Sequence, residues 1–296
     1  MKKINDFNKA IIQQIFVATI WGGGWVAAHF VTHEIPAFTA AGWQIIIVII
    51  SLGFLVLKQH KCLPKISQKN LTLISAMGII GIFGYNICFF YGLKYVLPGR
   101  AALVVALTPA LVAIASSLFT RTLPTGKMIT GVLIGIIGCL IVIAKGNPLT
   151  LLEGGIGLGE CIILSCALAW TIYTLIGKCV DNTVSPLVTS FYASSIGGIL
   201  LWIVGLFEGS LLILPNFSIK LYSCLLYLGV LASGLCYVWY ANGIKVLGTT
   251  RTAAFSNFVP VSAVLLSSFI LQEKIILTTL FGGVLILIGV ILTNLD

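Results

Sequence analysis

Charged residues punctuate this chain instead of spreading through it, and the stretches between them are apolar. Ten charge-free runs of 17 or more residues result: 10–33, 35–57, 70–93, 101–120, 128–144, 161–177, 182–207, 221–244, 252–272 and 275–295. A helix needs about 20 mostly apolar residues to cross a bilayer core, with a range of about 17–25, so each run is long enough to span. Barrel strands would alternate over about 10 residues, whereas Ile45 to Ile50 and Leu285 to Val290 are continuously apolar or small. The pattern predicts an all-α membrane protein with ten transmembrane helices. The first run follows Lys2, Lys3 and Lys9, as a secretory signal would. It is too long, has no small-residue cleavage site and is followed by nine more runs, so it is expected to stay in place.

Composition sharpens this picture. Of 296 residues, 59% are hydrophobic and only 8% charged, and the mean hydropathy is +1.11; a soluble domain carries about 25% charged residues. The lipid bilayer is therefore the chain's main partner and solvent. With the amino terminus in the cytoplasm, twelve of the 17 basic residues fall inside (Lys2, Lys3, Lys9, Lys58, Lys61, Lys65, Lys69, Arg121, Lys127, Lys178, Lys245, Arg251). Five fall outside: Lys94, Arg100, Lys145, Lys220 and Lys274. That bias places both termini in the cytoplasm. The net charge of +9 then reflects topology and headgroup attraction. The basic residues sit at run ends and form no stripe with aromatic partners, so nucleic acid is not expected. The eight cysteines form no CxxC pair and read as small helix residues. His29, His33 and Glu34 read as an interfacial polar cluster, too small for a metal site, and no metal or cofactor is expected.

The chain also repeats itself. At an offset of 151, Gly92 aligns with Gly243, Lys94 with Lys245, Arg100 with Arg251, Ala102 with Ala253 and Pro109 with Pro260. The match continues through Ser117 with Ser268, Gly131 with Gly282 and Gly138 with Gly289, and at offsets of 149 and 150 Trp21 meets Trp170 and Pro36 meets Pro186. The halves are 1–150 and 151–296. Five runs per half is an odd number, so the second copy enters the membrane upside down. Inverted repeats are a common architecture of secondary transporters, which hold the solute near the midplane between halves and expose it to each side in turn.

The phrases ATIWGGGWVAAHF at 18–30, YGLKYVLPGRAALVVALTPALVA at 91–113 and LQEKIILTTLFGGVLILIGVIL at 271–292 resemble the EamA-type members of the drug/metabolite transporter superfamily. The resemblance covers nearly the whole chain. It implies a ten-helix carrier of the bacterial inner membrane, with a central cavity lined by helices 1, 3, 4, 6, 8 and 9, and with helices 5 and 10 packed at one end. Two positions depart from the family pattern: Gln44 stands where members often carry an arginine early in span 2, and Thr122 where an acid often ends the first repeat.

Polar and aromatic side chains inside spans are expensive in lipid and should face a cavity or a neighbouring helix. Trp21, Trp25 and His29 share one face of the first helix by their four-residue spacing. Tyr85, Asn86 and Phe90 in span 3, Trp170 and Tyr173 in span 6, Tyr237, Trp239, Tyr240 and Asn242 in span 8, and Ser256 and Asn257 in span 9 complete the inventory. All except Asn242 are candidate solute contacts. The mirrored Pro109 and Pro260 each remove a backbone donor and bend a helix, freeing a carbonyl toward the cavity. The glycines Gly131, Gly135, Gly138, Gly282 and Gly289 mark faces where helices approach closely, between the halves.

No HExxH, GxSxG or paired midplane carboxylates point to catalysis, and no P-loop points to an ATP-driven pump. Glu160, Glu208 and Glu273 sit near run ends, which favours exchange or gradient-driven efflux over a proton carrier. The expected solute is small, zwitterionic or weakly charged and amphipathic, with amino acids foremost. Multidrug or lipophilic-cation efflux and a lipid flippase are the alternatives. One chain holds both halves, so a monomer suffices. A single cysteine placed in loop 62–69 of a cysteine-free variant should react with impermeant maleimide only after cells are broken; labelling of intact cells would reverse the orientation.

Overall fold

The computed structural model describes residues 2–92, 95, 104–105, 107–122, 124–143, 158–209, 218–271 and 277–294, and the regular structure among these is all helix. The helices are α1 (Lys2–Glu34), α2 (Ala37–His60), α3 (Gln68–Ala76), α4 (Tyr85–Gly92), α5 (Thr108–Thr120), α6 (Gly126–Ile143), α7 (Leu158–Cys179) and α8 (Pro186–Glu208). They continue as α9 (Ile219–Leu226), α10 (Cys236–Val246), α11 (Thr249–Ala254), α12 (Val259–Leu271) and α13 (Leu277–Asn294). Six segments are long and apolar enough to cross a membrane: Asp6–Ala28, Phe38–His60, Gln68–Phe89, Cys161–Cys179, Pro186–Phe207 and Ile219–Val246. Thr108–Thr120, Gly126–Gly138 and Leu280–Thr293 are apolar but shorter. Six of the ten charge-free runs are thus matched, among the described residues, by such segments; two more, 128–144 and 275–295, fall largely within the 18-residue helices α6 and α13. The run at 252–272 is divided among α11, a 3-10 turn at Phe255–Phe258 and α12.

Helix ends follow from local chemistry. Ser67, Ser185 and Ser218 accept hydrogen bonds from the backbone N–H groups of Asn70, Val188 and Leu221, capping α3, α8 and α9. Lys61 and Arg121 adopt left-handed backbone (φ 60° and 53°) just past α2 and α5, a conformation usually left to glycine. Their cationic side chains lie at the negative ends of those helix dipoles. A polar knot joins three elements at one end of the bundle. Asn70 donates to the Asp181 carboxylate at 3.0 Å and accepts from its backbone N–H at 3.2 Å. Lys69 lies 3.5 Å from the same carboxylate, and the Lys245 ammonium donates to the carbonyls of Asp181 and Val184. At another site, the Ser218 hydroxyl donates to Glu34 at 3.2 Å, and Lys220 sits 3.5 Å above the Phe30 ring.

Two π-helical stretches interrupt otherwise continuous helices, Met77–Gly84 between α3 and α4 and Tyr227–Leu235 between α9 and α10. They begin 150 residues apart, the spacing of the sequence repeat. Packing repeats as well. α1 lies on α12 as α7 lies on α5, α1 meets the second π stretch as α7 meets the first, and α2 meets the second as α8 meets the first. Where the first π stretch meets α7, a Cβ on Gly81 would collide with the Tyr173 ring.

The most extensive helix pair is α6 with α13, and its seam is glycine. A Cβ on Gly131 would lie 2.7 Å from the Gly289 carbonyl oxygen, and one on Gly138 would lie 2.7 Å from that of Gly282. Each glycine faces not its own repeat mate but the other's, as antiparallel packing about a twofold requires. Gly138→Leu is therefore expected to lower the melting temperature in detergent by about 5 °C or more, since overpacking against backbone costs about 1–3 kcal/mol. Gly126→Ala, where nothing lies within 4 Å, should leave it unchanged; equal melting of both variants would refute the seam's role.

Candidate functional site

A cavity of about 250 Å³ lies where helices of both halves converge. α1 contributes Trp21, Gly24, Trp25 and Ala28; α2 contributes Gln44; α4 contributes Tyr85, Asn86 and Phe89; and α5 with the turn before it contributes Val105, Thr108 and Pro109. From the second half come Trp170, Leu228, Ala232, Ser233, Tyr237, Ser256, Asn257, Val259 and Ala263. None of these side chains carries a formal charge. Six are aromatic, and the polar ones are amides and hydroxyls.

The aromatic residues form a connected layer. Trp21 and Trp170, which are mates in the sequence repeat, meet edge to face with centroids 5.6 Å apart. Trp170 stacks on Tyr173 at 4.8 Å and 13°, and Tyr240 touches both Trp21 at 5.5 Å and Trp170 at 5.3 Å. Tyr85 joins Trp170 at 5.5 Å and stacks on Phe89, which in turn meets Trp25 at 5.1 Å. Offset and tilted pairs of this kind stabilise by about 0.5–1.5 kcal/mol each beyond their buried area. Tyr173 and Tyr240 are essentially fully buried and lie beneath the cavity lining as its support.

Hydrogen bonds hold the lining in place. The Trp21 indole N–H donates to the Ala232 carbonyl at 2.7 Å, fixing α1 to the second π stretch. Gln44 donates to the Ser233 hydroxyl at 2.7 Å, and Asn86 donates back to the Ile82 carbonyl at 2.6 Å within its own helix. Tyr240 and Thr174 share a hydrogen bond of 2.9 Å. Gly135 lets Asn257 sit close against α6, because a Cβ there would strike the amide nitrogen.

The mirrored prolines behave differently from expectation. Pro109 stands in the first turn of α5 and Pro260 is the second residue of α12, places where the missing N–H is least costly. The carbonyls they leave without a helical donor are those four residues back, Val105 and Ser256. The Thr108 hydroxyl donates to Val105 at 2.6 Å, and the Val259 N–H donates to Ser256. Each carbonyl thus has one donor from within the chain. What the prolines do is interrupt both helices at the cavity wall, so that Thr108, Ser256 and Asn257 line it.

Among the residues expected from sequence, Trp21, Trp25, Tyr85, Asn86, Trp170, Tyr237, Ser256 and Asn257 line the cavity, together with Pro109. Trp239 is not among the lining residues; it lies against Phe16, 6.2 Å between centroids, further toward the start of α1 than Trp21, which Tyr240 meets. The side chains of His29, Phe90 and Pro260 fall outside the described residues, as does Arg100. Gln44, Thr108 and Ser233 were not anticipated. Gln44 had a signal, a polar residue early in an otherwise apolar run; Thr108 and Ser233 are small hydroxyls whose sequence context does not distinguish them from packing residues.

The EamA-like transporter family model matches residues 8–144 and 157–295. An uncharacterized transporter of Bacillus subtilis, YyaM, is 30% identical over 291 residues, covering 98% of this chain and 94% of its own. An uncharacterized inner membrane transporter of Salmonella typhimurium, YicL, is 23% identical over 97% of this chain and 96% of its own. One crystal structure superposes with a TM-score of 0.77 at 19% identity, covering 97% of both chains, which shows a shared fold. Trp21→Ala and Asn257→Ala are each expected to reduce solute flux in proteoliposomes about tenfold or more while gel-filtration elution in detergent stays unchanged. Full flux in both would remove them from the site.

Proposed function

The chain belongs to the EamA-like transporter family, and from that premise we propose that it is a secondary carrier for small metabolites, amino acids or related amphipathic solutes foremost. It works by efflux or exchange across the bacterial inner membrane. Ten helices form two inverted five-helix repeats, 1–150 and 151–296, with both termini cytoplasmic. The two halves give two packings of similar energy, one open to each side, and a single chain is the working unit.

The observation that carries this reading is the uncharged, aromatic-walled cavity built from both halves. With no fixed charge in its described lining, it suits a solute whose own charges cancel: aromatic faces attract an ammonium group, and amide and hydroxyl groups donate to a carboxylate. Size supports the same class. A volume of about 250 Å³ is that of roughly eight waters at about 30 Å³ each, on the scale of one amino acid. It lies near the lower end of the range of about 300–1,000 Å³ typical of ligand pockets, which fits a small solute.

Thermal stabilisation of the purified protein against amino acids, amines, sugars, nucleotides and lipophilic cations tests this, since a ligand at about 100 times its Kd stabilises by about 2.7 kcal/mol. Amino acids are expected to raise the melting temperature and to drive counterflow in liposomes. A panel blank except for lipids or lipophilic cations would overturn the solute class.

A further inference from the structure

α1 carries a second polar feature that the central cavity does not use. Gln14 lies two turns before Trp21 on the same helical face, about 10 Å along the axis. It is fully buried, at 0% exposure. Its amide nitrogen donates to the Trp239 carbonyl at 2.8 Å. Because a carbonyl only accepts, that bond fixes the amide's orientation. The amide oxygen then points away from Trp239, buried and with no donor among the described residues. Protein interiors seldom leave such an acceptor open without a reason.

The surroundings are built for this amide. The α10 backbone is cut back beside it, since a Cβ on Gly243 would lie 2.5 Å from its nitrogen. Gln14 sits at a gap too narrow to admit water, lined also by Tyr240, Thr252 and Phe255 and bounded by Trp21 and Ser256. Trp21 and Ser256 line the central cavity as well, so one aromatic layer separates the two spaces. The neighbouring hydroxyls are engaged elsewhere: Tyr240 with Thr174 at 2.9 Å, and Thr252 donating to the Gly248 carbonyl at 2.7 Å. The Gln14 oxygen is therefore an acceptor held without a donor, which a solute could reach only once the ring layer opens.

We infer that Gln14 forms a second solute station on the amino-terminal side of the aromatic layer, where its amide oxygen accepts a hydrogen bond from the amine end of the solute. This rests on the carrier reading above. When Trp21, Trp170 and Tyr240 part, the ammonium group leaves their π faces and finds a directed acceptor about two helical turns further on. The station is confined to the first half, because the residue at the repeat-related position, offset by 149, is Ile163. It selects for N–H donors and gives no such help to a solute that lacks one.

The test is counterflow in proteoliposomes with two probes, a mixture of the labelled common amino acids and a mixture of the corresponding labelled 2-oxo acids, which have no amine. Gln14→Leu, and Gln14→Met as a second variant of closer shape, should slow amino-acid counterflow about tenfold or more, the effect of losing one hydrogen bond to a charged donor. Any 2-oxo acid counterflow should change less than about twofold, and gel-filtration elution should be that of the wild type. Gln14→Glu, whose neutral carboxyl donates through one oxygen and accepts through the other, should restore amino-acid counterflow at about pH 5 and lose it as the carboxyl ionises. Amino-acid counterflow within about twofold of wild type in both Gln14→Leu and Gln14→Met would overturn the station alone. Equal slowing of both probe mixtures would overturn it in favour of a packing role. A wild type that moves no amino acid would overturn the station together with the solute class.

Discussion

In hydrocarbon, a backbone amide or carbonyl without a partner costs several kcal/mol, and this requirement governs how the chain departs from plain helix. A π stretch changes helical register without opening the chain to lipid, and this protein uses it twice, at Met77–Gly84 and Tyr227–Leu235. Prolines remove a donor altogether. The two at the cavity wall do so where a threonine hydroxyl and a 3-10 amide supply the replacement. The second π stretch and both proline breaks border the site.

The same economy of polar groups shapes the cavity. Trp21 is both wall and tether, with one ring edge on Trp170 and its N–H on the Ala232 carbonyl. Gln44 donates to Ser233 as a neutral group. An arginine there would have given the lining a fixed positive charge and a preference for anions. With glutamine, the field of the described lining comes from rings, amides and hydroxyls.

Much of this was legible in the residues. Apolar run length gave the helical class, and rare residues recurring at a fixed offset anticipated the 150-residue spacing of the two π stretches. The glycines of span 5 and the last span marked the α6–α13 seam, and the aromatic residues of spans 1, 3, 6 and 8 marked most of the cavity wall. What was not legible depends on rotation about helix axes. Trp239 and Tyr240 are adjacent in sequence and both meet rings of α1, yet Trp239 lies against Phe16 and Tyr240 against Trp21, and the π stretch that precedes them shifts the phase that a regular 3.6-residue count would assign. Thr108 and Ser233 reach the cavity because a proline and a π turn, respectively, lie beside them. Their own chemistry is that of any hydroxyl buried in a helix.

The seam between α6 and α13 has a consequence for how such a protein can change over generations. Gly131 rests on the backbone of Gly289, and Gly138 on that of Gly282, so neither helix can gain a methyl group there unless the other gives way. A duplicated gene normally frees its two copies to drift apart. Here drift along this line is coupled: an enlargement in the first half survives only beside a compensating loss in the second. The two halves are held to a common small-residue alphabet at their junction, however far the helices around the cavity diverge to suit different solutes.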